Sequence, residues 1–509
     1  MEIVHAASEV VGFAKTGGLA DVAGSLPRAL ARRGHRCTII LPLYHSARSG
    51  KVPLTPTDHT ICVPVGGRSV GGRLWRGTLP DSDVAVYLIE HNDYFDRDQP
   101  AQGRSLYQFT LPQGQKLDYP DNCERFVFFS RAVLETMRIL DLWPDVLHNH
   151  DWQSGLIPVY LNEVYRRHAT PGVAERAGKV RTVFTIHNVA YQGLFRPAEY
   201  PLTGLDWRLF NYRQLEFYGQ LNLLKAGIVF SDWITTVSAR YAEEMQTPYY
   251  GYGLQGVLGE RRNRLTGIVN GVDYTVWDPA SDRLLAERYD SASVQRGKAV
   301  CKTALQRRYG LPEEPRAPLL AMIARLVEQK GLDLLGKAGD AILSAGQPSV
   351  QLVVLGEGDS VYHRMLQDLQ RRYPRKVGLT LAFDEPLAHL IEAGADIFLM
   401  PSMFEPSGLN QLYSLKYGTV PVVRACGGLA DTIVDCTPQT LADGTATGFS
   451  FVAFSGPAFQ AAVQRAVEMY RTQPEEWLRL QRNGMQQDWS WNRSAAEYEK
   501  VYSSLVPGP

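Results

Sequence analysis

Short continuous apolar runs alternate with amphipathic stretches along most of the chain. Residues 2–7 (EIVHAA) and 36–41 (RCTIIL) read as buried strands, and LADVAGSLPRALARRGH between them has apolar residues at helical spacing and ends at Gly34. That is a strand, turn, helix, strand unit. The pattern continues through VAVYLIE, the helical RFVFFSRAVLETMRIL, the strand DVLHNHD, a helix from about Ser154 to Arg167, and the strand RTVFTIHN. It restarts after Asn270-Gly271-Val272-Asp273 with PLLAMIARL, the helix GLDLLGKAGDAILSAG, QLVVLGEGD, LTLAFD, EPLAHLIEAGA, DIFLMPS, GLNQLYSLKYG and VPVVRA. Strands with no polar alternation predict parallel sheets covered by helices on both faces. Two such series, each too long for one sheet, predict an α/β chain of two doubly wound domains facing each other, with the boundary near residues 262–275. The division expected is residues 1–264, residues 265–484, and a last helix within 485–509 that has no strand to follow and packs back on the first domain. In such sheets ligands sit at loops after the carboxyl ends of strands, so those loops are where chemistry is sought.

Composition mainly excludes. The 53 Lys and Arg against 53 Asp and Glu give a net charge of zero, which argues against nucleic acid as a partner. With 509 residues and 45% hydrophobic content, the chain can bury cores in about two to four domains. No apolar run approaches the roughly 18 residues that cross a bilayer, and the opening Met1-Glu2-Ile3-Val4-His5 carries an acid where a signal peptide carries a base. The six cysteines are scattered without a C-x-x-C pair, which suits a reduced, cytoplasmic setting better than a disulfide scaffold.

Five loops carry candidate chemistry. The first, EVVGFAKTGGL, places Lys15 before Gly17-Gly18 at a helix start, where close backbone approach, free N–H groups and a full charge favour a phosphate. A turn that merely needs glycine explains the pair as well but leaves Lys15 without a reason. The second, Arg325 to Gly331, puts Arg325 and Lys330 five residues apart between a strand and a helix, spaced to neutralise a leaving diphosphate; a solvated charged turn is the plainer reading. The third sets Glu405 beside Pro406, pointing out of the loop toward sugar hydroxyls, with the N–H groups of Gly408 to Asn410 open to phosphate. A capping acid is the alternative there. The last pair, His148-Asn149-His150-Asp151 and Thr185-Ile186-His187-Asn188, ends two strands. H-x-H can bind a metal, but no third ligand stands at a recognisable spacing, and buried histidines bonded to backbone remain open. Gly356-Glu357-Gly358 lacks the third glycine of a nicotinamide fingerprint.

KTGGLADVAGSLP, HDWQSGL, TIHNVAYQG, LKAGIVFSDWITTVS, GIVNGVD, ARLVEQKGLDLL and FEPSGLNQLYSLKYGTVPVVRACGGLADTI resemble, in the same order, the bacterial glycogen synthases and plant starch synthases, from about residue 2 to residue 490. The resemblance implies the GT-B fold, two Rossmann-like domains facing across a deep cleft. It further implies retaining transfer of glucose from ADP-glucose to the non-reducing end of an α-1,4-glucan, with no metal and no pyridoxal phosphate. By position, Lys15, Gly17, Gly18 and Asp21 would contact the donor, Arg325 and Lys330 would neutralise its diphosphate, and Glu405 would hold the glucosyl hydroxyls. Ser407, Gly408, Leu409 and Asn410 complete the implied donor loop, and Asn270 would lie between the domains. His187 and Asp151 would share the pocket of the transferred sugar, while Glu9, Tyr107 and Asp151 would face the acceptor. The chain departs from common family residues at Gln153, Ser407 and Asn410, and Tyr413 stands where many related transferases carry a second Glu. A UDP-glucose enzyme, another GT-B transferase, a pyridoxal-dependent phosphorylase and an inactive glucan-binding homologue are the competing readings.

Overall fold

The computed structural model describes residues 1–112, 114–344 and 349–506. The chain forms two compact units, the first made of Met1–Val237, Ala242–Gly271 and the segment from Trp491 onward, the second of Ser238–Tyr241 and Val272–Ser490. The divisions expected at 264/265 and 484/485 therefore fall later, at 271/272 and 490/491. The reason lies in the backbone: Leu265–Gly267 is still a strand of the first sheet, and the Val272 N–H donates to the Trp489 carbonyl at 2.7 Å inside the second unit. Residues 507–509 of the expected C-terminal segment lie outside the described residues.

In the first unit, Glu2–Ala6 (β1), Arg36–Pro42 (β2), Thr55–Val65 (β3), Arg68–Thr78 (β4), Ala85–Glu90 (β5), Val146–His150 (β6), Arg181–Ile186 (β7), Trp233–Thr236 (β8) and Leu265–Gly267 (β9) form one sheet in the order β9-β8-β7-β6-β1-β2-β5-β4-β3. Neighbours from β9 to β5 are parallel. β4 and β3 then add an antiparallel hairpin, which corrects the expectation of purely parallel sheets. Its outer strand buries only alternate residues, Ile61, Val63 and Val65, because one face meets water.

Helix α1 (Gly18–Arg32) leads from β1 to β2, and α2 (Asn122–Ile139) precedes β6. The helix expected from Ser154 to Arg167 is instead a 3-10 turn at Trp152–Ser154, an α turn at Ile157–Tyr160 and a π-helical Leu161–Arg166. Pro158 has no N–H to continue an α ladder begun at 154.

The second unit holds Leu319–Ile323 (β10), Gln351–Leu355 (β11), Val377–Thr380 (β12), Ile397–Met400 (β13), Val420–Arg424 (β14) and Phe449–Phe451 (β15), all parallel, in the order β12-β11-β10-β13-β14-β15. Helix α3 (Leu332–Ser344) follows β10 and α4 (Asn410–Tyr417) follows β13. The last two residues of the predicted α3, Ala345 and Gly346, lie outside the described residues.

Helix α5 (Trp491–Leu505) belongs to the first unit. Its apolar face, Trp491, Ala495, Tyr498 and Tyr502, recurs at helical spacing and shares one core with Leu19, Val22 and Leu26 of α1. Arg33 Nη2 and His35 Nε2 bracket its Glu499 at 2.6 and 2.7 Å. No described helix is long and apolar enough to cross a membrane.

Among its parallel strands each sheet reverses its order, between β6 and β1 in the first unit and between β10 and β13 in the second. At such a reversal the flanking loops splay apart and leave a crevice at the carboxyl ends.

Candidate active site

β7, β6 and β1 are neighbours, and the first-unit candidates sit where they end. After β1, the buried Glu9 carboxylate accepts from the Thr16 N–H at 2.5 Å, the Thr16 hydroxyl at 2.7 Å, the Gly17 N–H at 3.2 Å and the Tyr107 hydroxyl at 2.8 Å. Glu9 and Tyr107 thus meet, and Glu9 ties down the Lys15 loop. The Gly17 N–H expected to face phosphate is already bound by Glu9. Lys15 Nζ lies 2.6 Å from Asp21 Oδ1 with nearly half its side chain exposed, a pairing weak enough in water for an anion to compete with it. A Cβ added at Gly17 or Gly18 would meet nothing within 4 Å, so packing does not demand either glycine. Asn270 is buried beside Val269, whose carbonyl accepts from Ser494 of α5 at 2.7 Å.

Asp151 follows β6 with φ 54° and ψ −178°, a region that side-chain-bearing residues avoid. Its N–H donates to the Thr185 carbonyl at 3.0 Å, its Oδ1 accepts the His187 N–H at 2.7 Å, and Trp152 beside it packs edge-on to Phe126. These contacts over-determine the strained conformation, and such strain concentrates at functional sites. Burial pushes the Asp151 carboxyl up to about 8, with the Glu9 charge adding to it and the His187 N–H opposing it. Asp151 is therefore neutral at pH 7 and acts on His187 as an acceptor.

That state makes a prediction. The unfolded chain releases this proton near pH 4 and the folded chain near pH 8, so ionising Asp151 costs folded stability, and stability falls as pH rises between those values. Asp151→Asn keeps an oxygen for the His187 N–H and lacks the proton. Its melting temperature should decline less than the wild type's between pH 5 and pH 8, and parallel curves would refute the neutral carboxyl.

His187 follows β7, and burial lowers its pKa to about 3. Its Nε2 lies 3.1 Å from His150 Nδ1. The sequence showed no third partner for H-x-H, whereas the register of β1 against β6 sets His5 opposite His148. Ring nitrogens of His5, His148 and His150 come within 4.8 Å of one another. The donor set does not fit a metal centre. The His148 and His150 rings are tilted by 30° with centroids 4.2 Å apart, and both His148 nitrogens are already bonded, to Tyr502 at 2.8 Å and Thr185 at 2.6 Å, so this ring has no spare lone pair for a metal.

In the second unit the reversal between β10 and β13 carries the other candidates. The loop after β10 bears Arg325 and Lys330, and the loop after β13 bears Glu405. Lys330 Nζ lies 2.6 Å from Glu405 Oε2, with side-chain exposures of 19% and 7%. The Ser402 hydroxyl also donates to Oε2, at 3.0 Å. The carboxylate expected to point out of its loop is turned inward, because a buried charge needs a counter-charge and donors. Arg325 is exposed and makes no side-chain hydrogen bond or ion pair among the described residues.

Two close approaches set this geometry. Gly331 has φ 71°, and a Cβ there would stand 2.7 Å from the Pro401 carbonyl carbon. Gly428 gives its N–H to the Glu405 carbonyl at 3.0 Å, and a Cβ there would stand 2.6 Å from the Ser407 Cα. Gly427-Gly428, a glycine pair after β14, is the sequence signal for this backbone approach. Asn410 is committed to structure: its Nδ2 donates to the Ile323 carbonyl at 2.7 Å. Leu409 caps α4 without a side-chain acceptor, which leaves first-turn N–H groups beside Ser407 and Gly408 for a ligand. Tyr413 stacks on Trp277 at 4.0 Å, and Trp277 on His389 at 3.8 Å. Gln153, where relatives often carry His, is buried. Also unread in the sequence is Phe383, 84% exposed just after β12 and the one aromatic among the large exposed apolar residues described in this unit.

A family model described as "Starch synthase catalytic domain" matches residues 2–260, and one described as "Glycosyl transferases group 1" matches residues 305–483. The chain is 46% identical over 506 residues to the glycogen synthase of Anaeromyxobacter sp. (strain Fw109-5), covering 99% of this chain and 100% of that one. The chain belongs to the glycogen synthase family. It is 45% identical over 502 residues to the glycogen synthase of Koribacter versatilis (strain Ellin345), covering 99% and 98%. The catalytic domain of starch synthase IV from Arabidopsis thaliana, bound to ADP and acarbose, superposes with a TM-score of 0.87 at 33% identity over 99% of each chain. A sucrose-phosphate synthase from Thermosynechococcus elongatus, at 15% identity over 99% of this chain and 98% of its own, has a TM-score of 0.57 and shares the fold alone. As a glycogen synthase family member the chain is a GT-B hexosyltransferase, and its reaction partners are a nucleotide sugar and a glucan.

Proposed function

We propose that the enzyme transfers glucose from ADP-glucose to the non-reducing end of an α-1,4-glucan, retaining the anomeric configuration and releasing ADP. The observation that carries this reading is the Lys330–Glu405 pair at the reversal of the second sheet, a cation and a carboxylate side by side where a donor sugar binds. Breaking the glucosyl–phosphate bond leaves negative charge on the diphosphate. Arg325 and Lys330 meet that charge as it develops, which favours the transition state over the bound substrate. Glu405, shared between Lys330 and Ser402, orients the glucosyl hydroxyls. The first-turn N–H groups of α4 add donors for phosphate, and in the first unit the exposed pairing of Lys15 with Asp21 leaves its charge open to an anion. Phe383 offers the flat apolar face on which a base stacks.

Neither Asp151 nor Glu405 is poised as a covalent nucleophile. Asp151 is neutral with Oδ1 bonded to His187, and Glu405 is held by Lys330. The leaving phosphate itself then takes the proton of the acceptor hydroxyl on the same face of the sugar. The scheme needs no metal or pyridoxal phosphate, since lysine and arginine side chains supply the counter-charge. The setting we assign is the cytoplasm, without a membrane or nucleic acid partner.

ADP is preferred over UDP as leaving group because the 33%-identical starch synthase IV carries ADP. Incubation of the purified enzyme with glycogen and either ADP-glucose or UDP-glucose tests this by nucleotide release. Faster release from ADP-glucose is expected. Faster release from UDP-glucose reverses the donor assignment, and release from neither removes the activity.

A further inference from the structure

His187 stands at the outer end of a line of three imidazoles. His150 Nδ1 is 3.1 Å from His187 Nε2, and His150 Nε2 is 3.5 Å from His5 Nδ1. His5 and His150 are fully buried, and burial lowers the pKa of all three rings, so each is neutral and carries one N–H. Tyr498 and Tyr502 of α5 cover the row beside His148, with ring centroids 5.6 and 5.8 Å from it.

One proton per ring allows only two directions along the line. If the protons point outward, His5 Nδ1–H donates to His150 Nε2 and His150 Nδ1–H donates to His187 Nε2. If they point inward, His187 Nε2–H donates to His150 and His150 Nε2–H donates to His5. The inner end decides between them. His5 Nε2 is buried with no partner among the described residues. Outward order leaves it a bare lone pair; inward order leaves it a buried N–H with no acceptor, the rarer and costlier orphan.

We infer that His5 and His150 are positioning residues that hold His187 as the tautomer protonated on Nδ1, so that His187 presents a hydrogen-bond donor to substrate oxygen. Nδ1 of His187 has no partner among the described residues, which leaves that donor for a ligand. The role at substrate rests on the glucosyl-transfer reading above; the tautomer does not.

The test is nitrogen NMR on enzyme carrying 15N-labelled histidine, with the His187 signals identified by their loss in His187→Gln. A protonated Nδ1 and bare Nε2 on His187 are expected in the wild type. A protonated Nε2 overturns the inference, whatever the activity. Kinetics supply the second measurement. His150→Phe removes the donor to His187 and should lower kcat by about 10- to 100-fold with a much smaller change in KM for the nucleotide sugar. His150→Asn, whose side-chain N–H stands where Nδ1–H stood, should recover most of that loss, and His150→Gln, whose N–H reaches the Nε2 place, should not. Equal recovery by both, or full kcat in a folded His150→Phe, overturns the positioning role. Should His150→Phe fail to fold, the wild-type spectrum decides alone. Full turnover by His187→Gln would instead sink the assignment of His187 to the sugar and leave the tautomer standing.

Discussion

Lys330→Ala lowers kcat by about two to three orders of magnitude, the loss expected when one preorganised donor to a developing anion is removed. Two effects act together. The leaving diphosphate loses a cation, and Glu405 keeps a buried carboxylate with only the Ser402 hydroxyl at 3.0 Å to answer it. The second effect costs stability as well, on the order of 1–3 kcal/mol, less than for a fully buried pair because a fifth of the Lys330 side chain meets water. Steady-state kinetics at a temperature where the variant is folded separates the two. Unchanged turnover there would remove Lys330 from the reaction. Lys330→Arg is not a safe replacement, since a planar guanidinium cannot occupy the space of an ammonium held 2.6 Å from one carboxylate oxygen behind the tight Gly331 turn.

Gly428→Ala is expected to cost about 100-fold in kcat although the added methyl touches no substrate. The methyl would stand 2.6 Å from the Ser407 Cα and overlap the Ser407 carbonyl, and neither backbone has a flexible end to swing aside. The segment carrying Glu405, Pro406 and Ser407 must therefore shift, and with it the hydrogen bond from Gly428 N–H to the Glu405 carbonyl. Overpacking of this kind also destabilises, by about 1–3 kcal/mol. Comparison with Ala430→Gly, two residues further along the short helix Gly427–Thr432, controls for general weakening of that helix. Wild-type turnover in Gly428→Ala would show that the position of the Glu405 loop does not govern the rate.

Much of the molecule was readable because its signals are local. A run such as LLAMI or DIFLM declares a doubly covered strand by its own composition, and the residues after it declare a loop. Lys15, Arg325, Lys330, Glu405, Asp151 and His187 are legible this way, each in the segment that follows a strand. The β3–β4 hairpin was missed because the reading sought continuous apolar runs, while ICVPV alternates; the Gly66-Gly67 pair between its strands was the available signal. His5 carries no site signal in the sequence because it sits alone inside an apolar strand, and only the parallel register of β1 with β6 gives it His148 as a neighbour.

By itself, the sequence determines the alternation of strands and helices, the two series, the family and the list of reactive side chains, because periodicity and motif spacing are properties of adjacent residues. The tertiary structure alone decides what those side chains do to one another. Lys330 and Glu405 are 75 positions apart and become partners because β13 inserts beside β10, and Asp151 turns neutral because β1 and β7 flank β6 and shut out water. Strand order follows from how the whole chain buries its apolar surface, and no local pattern encodes it.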